Sequence, residues 1–384
     1  MMSTEPEQAF ADTLTASGRL GPTWRAAYEA VPRHQFIPAV AWVVPDGPEP
    51  GYPIDRGQDP DGWMRAVYSD ASIVTQLDDG DSDLTTGKGT PSSSGSAPGI
   101  VFAALDTLDI RDHHRVMEIG TGTGWTAALL SQRVGAHNVV SIEVDEQVAG
   151  QAEKNLTAAG HTPHLIVGDG AAGCPPRAPY DRVHGTCAVA TFPYAWVEQT
   201  RPGGVIVAPW APLYGSGQLA RLVVDTNGRA SGRFPALVSY MMLRSQRRTV
   251  RWNPHHADEA RETTTRIDPR TLAEAPYAAD LMIGALVPGV ARIPAPSDDG
   301  SGRFSLLFVE AEKDDAAWAA VDYVPGEAEY RVTSFGHRDL WQEVSDAFLR
   351  WIACGQPERR RFGLTVTPEG QRLWLDDPCQ PVTS

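Results

Sequence analysis

The sequence predicts an α/β protein: a parallel sheet covered by helices, followed by a C-terminal α+β domain. Three observations carry this. From Arg115 onward, short apolar runs alternate with helical periodicity, the pattern of strands buried on both faces. A glycine-rich turn, "MEIGTGTGW" over Met117–Trp125, joins the first such strand to its helix. Past Trp210 the alternation stops, and a hairpin and runs of strands follow.

Each element follows in order. Residues 1–20 are expected as a flexible tail. In "GPTWRAAYEAVPRHQFIP", Trp24, Ala27, Tyr28 and Val31 lie at helical spacing, and Pro32 stops the helix. Pro45 to Asp83 is rich in Pro, Gly and Asp and reads as a long irregular segment around one apolar knot, "AVYSDASIVTQL". "TPSSSGSAPGIV", residues 90–101, has the composition of a linker, yet it feeds directly into a helix. Ile100, Val101, Ala104, Leu105 and Leu108 share one face of that helix, with Pro98 in its first turn and Ser96 at the cap. Strands and helices then alternate from "RVMEIG" to "PGGVIVAPW". "QLARLVVDTNGRASGRF" reads as a hairpin turning at Asn227-Gly228. Asn253 to Arg303 is polar and weakly patterned. "FSLLFVEA", "AAWAAVDYV" and "EYRVTSFG" read as strands. An amphipathic helix follows with Leu340, Val344, Phe348 and Ile352 in register and Trp341 and Trp351 as core residues. Two strands in "RFGLTVTPEGQRLWLD" close the chain. The expected division is a tail over 1–20, a nucleotide-binding domain over 21–210 and the α+β domain over 211–384.

Composition narrows the function. A net charge of −15 over 384 residues argues against a broad nucleic-acid surface. The basic island Arg244–Arg251 (RSQRRTVR) is a local exception, either a solvated loop or a dock for an acidic peptide or carboxylate. The four cysteines are scattered, and the adjacent pairs His113-His114 and His255-His256 diverge on either regular backbone, so no metal site is expected. No apolar run approaches the roughly 20 residues that span a bilayer, and the acidic N-terminus lacks the order of a signal peptide. A cytoplasmic protein without membrane contact is expected.

The glycine turn carries the chemistry. Gly120, Gly122 and Gly124 let the backbone turn tightly and approach a ligand, and the helix N-terminus that follows offers N–H groups to a carboxylate. Glu118, two residues before the first glycine, can receive an ammonium group. Nineteen residues after Gly124, Glu143 ends the next strand, where an acid accepts ribose hydroxyls. That spacing also suits a dinucleotide. The G-x-G-x-G order, the acid before it, and Asp169-Gly170 at the third strand end favour S-adenosyl-L-methionine. The fold expected is therefore a Rossmann-like class I S-adenosylmethionine methyltransferase sheet. Its cofactor residues are Glu118, Gly120, Thr121, Gly122, Gly124, Glu143, Val144, Asp169 and Gly170.

The chain further resembles the protein-L-isoaspartate O-methyltransferases. The resemblance rests on "PRHQFIP", "YSDASI", "SAPGIVFAALDTL", "VMEIGTGTGWTAALLS", "VVSIEVD", "VGDG", "YDRVHGTCAV" and "TRPGGVIVAPW", in the family's order over about residues 30–210. It implies methyl transfer to a peptide carboxylate. It assigns Ser96 to the substrate carboxylate, Ser94 to the loop threonine's place and Thr186 to the junction of cofactor and substrate. These three are the catalytic candidates, and Tyr68, Asp70 and Ser96 are the substrate-binding ones. Ser96 as a plain helix cap, and Tyr68 and Asp70 as ordinary loop packing, stay open beside these roles. Cys187 is read as a small core residue. Two departures stand out: "SSSGSAPG" replaces the family's Gly-Gln-Thr-Ile-Ser-Gln-Pro loop, and the chain continues for about 170 residues past the last parallel strand. Both resemble the long-form branch associated with ribosomally made peptides, alongside ATP-grasp (graspetide) or lanthipeptide enzymes. The substrate implied is a modified precursor peptide methylated on an Asp that then closes to an aspartimide, with the C-terminal domain recognising the peptide. Repair of isoaspartate in damaged proteins is the alternative.

Overall fold

The computed structural model describes residues 5–252, 258–311 and 316–382, which leaves the His255–His256 pair outside the described residues. Helices α1 (Glu5–Ala16) and α2 (Pro22–Ala30) come first. The first corrects the expected tail: Phe10, Ala11 and Leu14 are buried and pack in one cluster with Trp24 and Tyr28. Its apolar stripe is only these three residues wide, so the segment reads as polar.

Strands β1 (Val40–Val44) and β2 (Tyr52–Asp55), helix α3 (Pro60–Val67), and strands β3 (Ser72–Leu77) and β4 (Pro91–Gly95) follow. The strands form an antiparallel sheet in the order β2-β1-β3-β4. The stretch from Pro45 to Asp83 is therefore not irregular throughout. Its strands are short and partly exposed, which explains their polar composition. The serine run divides into edge strand β4 and the approach to helix α4 (Pro98–Leu108).

Next come β5 (Val116–Ile119), α5 (Trp125–Val134), β6 (Val139–Glu143), α6 (Glu146–Ala158), β7 (His164–Val167), β8 (Tyr180–Gly185), α7 (Tyr194–Glu198) and β9 (Thr200–Trp210). The five strands are parallel. The chain runs outward from β5 through β6 to β7, then returns to place β8 on the other side of β5. The carboxyl ends of β5 and β8 are thus the topological switch point, where such sheets bind ligands. The hairpin β10 (Gln218–Val224) and β11 (Ala230–Leu237) forms as expected.

A five-stranded antiparallel sheet then contains β12 (Arg261–Thr265), β13 (Val290–Pro296), β14 (Phe304–Glu310), β15 (Trp318–Tyr323) and β16 (Tyr330–Phe335). Helices α8 (Pro269–Ala273), α9 (Tyr277–Leu286) and α10 (Leu340–Ala353) accompany it. The described part of the weakly patterned stretch, from residue 258, therefore holds two strands and two helices. Helix α9 (YAADLMIGAL) is buried over most of its length, and an apolar residue at nearly every position leaves no 3.6-residue period to read. In α10, Leu340, Val344 and Phe348 are buried with Trp341 and Trp351, but Ile352 turns to solvent.

The last two strands, β17 (Phe362–Thr367) and β18 (Gly370–Leu375), return to β11 and complete one nine-stranded sheet, β18-β17-β11-β10-β9-β8-β5-β6-β7. The division expected at 210/211 falls within this sheet, where Trp210 of β9 pairs with Gln218 of β10. One core cluster runs from Met117 and Ile142 through Trp210 and Tyr214 to Phe308 and Trp341. Among the described residues no helix is long and apolar enough to cross a membrane.

Because α1 contributes to the core, Leu14→Ala is expected to cost about 2–5 kcal/mol of stability. Urea unfolding measures it, and an unchanged midpoint would return residues 5–16 to the status of a tail.

Candidate active site

The site forms at the carboxyl ends of β5, β6 and β8. Gly120 follows β5 with φ 94°, and a Cβ there would lie 2.5 Å from Thr186 Oγ1, so no L side chain fits without displacing the β8 end. Thr186 Oγ1 lies 2.9 Å from Ile119 O and 2.5 Å from Gly120 O and donates its proton to this backbone. The hydroxyl thereby ties the β8 end to the glycine turn. Gly124, φ 91°, leads into α5. Asn155 of α6 holds the turn by donating to Thr123 O at 3.0 Å.

Glu143 ends β6. Its Oε2 accepts the Gly122 N–H at 2.9 Å and its Oε1 accepts the Asp145 N–H at 3.1 Å, which orients the carboxylate at the rim of a cleft. Gly120, Thr121, Gly122, Glu143, Val144 and Gly170 line this cleft together with Ser94, Ser96 and Thr186. Its empty volume is about 840 Å³, open mouth included. Trp196 supports the Gly170 turn by donating from Nε1 to Gly170 O at 2.8 Å.

A second cleft lies directly beside the first, and the two share Ser94, Ser96, Met241, Met242 and Arg247. The serine run sorts itself by hydrogen bonding. Ser92 donates to Gln76 Oε1 and accepts from the Asp79 N–H, and Ser93 accepts from Thr75. Ser94 and Ser96 are the members that line both clefts, with Ser96 facing the Tyr240 phenol.

Five expected site residues lie elsewhere. Glu118 is fully buried beneath the cleft, accepts the Ser141 hydroxyl, and has one oxygen without a partner. Burial pushes its pKa up to about 8, and it lines neither cleft. Asp169 is exposed and accepts from the Ala171 N–H and the Ser245 hydroxyl; Gly170 beside it lines the cleft instead. Gly124 turns the chain behind the cleft, against Leu156. Tyr68 is buried with its hydroxyl 2.6 Å from His34 Nδ1. Asp70 pairs with Arg19 and accepts the Gly99 N–H at 2.7 Å. Asp70, not Ser96, therefore caps α4, where Ala97 holds the N-cap position without a side-chain bond.

The roof over the first cleft had no clear signal in the sequence. Met241, Met242 and Leu243 line it from an unpatterned segment. Arg244 ties this roof to Asp145 at 3.2 Å and Asp79 at 3.0 Å, and Arg247 ties it to Asp79 at 2.7 Å. The front half of the basic island is thus not a solvated loop: Arg244 and Arg247 are paired and line the clefts. It is neutralised by Asp79 of the acidic run "DDGDSD" and by Asp145, and that opposition of charge was the available clue. Cys187 also touches the cleft, but burial pushes its thiol up to about 12, out of range of a thiolate nucleophile.

A switch-point cleft with a glycine turn after β5 and an acid ending β6 defines the class I S-adenosylmethionine methyltransferase fold. A solved structure of a protein-L-isoaspartate O-methyltransferase shares this fold, with a TM-score of 0.55 and 20% identity over 97% of this chain and 100% of the other. The family model for protein-L-isoaspartate(D-aspartate) O-methyltransferase matches residues 60–248. The protein-L-isoaspartate O-methyltransferase of Pyrococcus abyssi is 36% identical over 149 residues, which cover 38% of this chain and 68% of that protein. The enzyme of the same name from Methanoculleus marisnigri is 45% identical over 118 residues, 30% of this chain and 53% of that protein. The chain belongs to the protein-L-isoaspartate O-methyltransferase family, and it spans about half the length of the first relatives it matches.

Glu118 sets a pH dependence. Above about pH 4.5 the unfolded carboxyl ionises while the folded one keeps its proton up to about 8, so stability falls with rising pH by about 1.4 kcal/mol per unit across that window. Glu118→Gln is expected to raise the urea midpoint far more at pH 8 than at pH 5. An equal gain at both would show that Glu118 is not held protonated.

Proposed function

We propose that the protein is an S-adenosylmethionine-dependent carboxyl O-methyltransferase acting on a peptide aspartyl or isoaspartyl side. The observation that carries this is the shared wall: Ser94 and Ser96 line both the cleft at the glycine turn and the second cleft beside it. The first cleft fits the methyl donor. Glu143 keeps acceptor capacity for ribose hydroxyls, the glycine turn lets backbone approach, and Ile119, Ile142 and Val144 offer apolar walls. S-adenosylmethionine supplies an electrophilic methyl group when bound.

A carboxylate needs no general base to attack, since its usual pKa lies near 4. The residues of this chain position it and exclude water. Ser96 and Ser94 donate hydrogen bonds to the carboxylate oxygens and aim one of them into the first cleft. A new O–C bond forms as the S–C bond breaks, and carboxylate and sulfonium charges cancel in a neutral ester and thioether. Thr186 keeps the glycine turn against the β8 end, so its role is to hold the floor of the site. Met241 and Met242 cover the reacting atoms.

We place the substrate among modified ribosomal precursor peptides, whose methylated Asp closes to an aspartimide and can open to isoaspartate. The altered serine loop supports this, because short hydroxylated side chains leave room for a constrained backbone. The C-terminal region would then recognise the peptide. Repair of isoaspartate in damaged proteins is the second reading, and the shared fold over 97% of this chain favours it, since a long C-terminal region alone does not mark the maturation branch.

The deciding assay offers labelled donor with a generic isoaspartyl peptide and, separately, a cyclised precursor peptide. A +14 Da ester followed by dehydration on the precursor alone supports maturation, and efficient turnover of the generic peptide supports repair. Ser96→Ala is expected to lower kcat about tenfold, or ~1.4 kcal/mol, with S-adenosylhomocysteine affinity by calorimetry unchanged. Unaltered turnover would remove Ser96 from the chemistry.

A further inference from the structure

Arg33, in "PRHQFIP", is the least expected buried charge in the molecule. It is 1% exposed, and no salt bridge joins it to a carboxylate among the described residues. Its guanidinium donates instead to five backbone carbonyls. Nη1 reaches Val67 O at 2.8 Å and Ser69 O at 3.2 Å. Nη2 reaches Ala71 O at 3.0 Å, Gly95 O at 3.1 Å and Ser96 O at 3.0 Å. The guanidinium also lies over the Trp125 ring, 5.6 Å from its centroid, and Trp125 opens α5 directly after the glycine turn.

Burying an unpaired guanidinium costs several kcal/mol, and packing alone would be met more cheaply by an apolar side chain. What an apolar side chain cannot do is bind the carbonyls on both sides of one residue. Gly95 O and Ser96 O belong to the peptide groups before and after Ser96, so fixing both fixes the backbone that carries the Ser96 hydroxyl. The remaining three bonds anchor this grip to the loop whose Asp70 caps α4, and the ring contact anchors it to the start of α5.

We infer that Arg33 is a positioning residue for methyl transfer: it holds Ser96 at the shared wall, in register with the glycine turn. This rests on the proposed function of Ser96. Arg33 touches neither cleft, and it acts only through the wall. Misplacing a reacting group by an ångström costs on the order of 100-fold in rate, so loosening the wall is expected to read out in kcat before it reads out in binding.

The test is a double-mutant cycle of Arg33→Lys with Ser96→Ala, on whichever peptide the wild-type protein methylates. Arg33→Lys is expected to lower kcat by up to about tenfold, no more than Ser96→Ala does, while peptide KM and S-adenosylhomocysteine affinity stay unchanged. In that background Ser96→Ala is expected to cost far less than in the wild type. Additive losses, or a fall in cofactor affinity that tracks a fall in Tm, would overturn the inference. Arg33→Gln is the second variant should Arg33→Lys not fold, and failure of both to fold would assign Arg33 to stability alone. A wild-type protein that methylates no carboxylate peptide sinks the proposed function. A wild type that turns over with additive variants sinks only the role of Arg33.

Discussion

A single guanidinium sealed from water joins the parts of this molecule that meet at its clefts. Arg33 binds carbonyls from the loop after α3 and from the end of β4, and it rests on the first side chain of α5. Trp125 returns the contact by donating from Nε1 to Val31 O at 3.1 Å. The N-terminal sheet and the parallel sheet belong to different hydrogen-bonded systems, so the alignment of serine wall and glycine turn depends on such cross-links. Burial draws the pKa of Arg33 down to about 10, which still leaves it charged at neutral pH.

Around that junction the charges are arranged to close. The protein carries an excess of acid, yet the cleft roof is basic and is held by Asp79 and Asp145. Gln246 adds a neutral anchor by accepting the N–H groups of Ala190 and Thr191. These ties reach the acidic insert, the end of β6 and the loop after β8, so one short segment spans three elements of the site. For the proposed methyl transfer, which needs a desolvated, aligned nucleophile more than acid–base help, a roofed cleft is the appropriate device.

The C-terminal region is built into the central sheet. Strands β10, β11, β17 and β18 extend the sheet that begins with β5, and the five-stranded sheet is inserted between β11 and β17. A continuous core from Met117 to Trp341 follows from that insertion. Its consequence is that residues distant in sequence, such as Gln371 and Ala190, meet near the clefts: Gln371 donates to Ala190 O at 2.8 Å.

By itself the sequence determined what local pattern can specify. The alternating strands and helices of 115–210, the glycine turn, Glu143, the Asn227-Gly228 hairpin and the buried face of α10 all follow from periodicity and turn chemistry, which act over a few residues. Only the tertiary structure decided the rest. Whether a polar helix such as α1 packs, whether Asp70 or Ser96 caps α4, and whether Arg244 meets solvent or Asp145 depend on partners dozens of residues away. The same holds for Glu118, whose spacing suggested a ligand contact and whose burial keeps it protonated under the cleft. The serine run shows the division most directly. Its composition marked a place that must be small, and the tertiary contacts decided that the Ser92 and Ser93 hydroxyls bond Gln76 and Thr75 while Ser94 and Ser96 line both clefts.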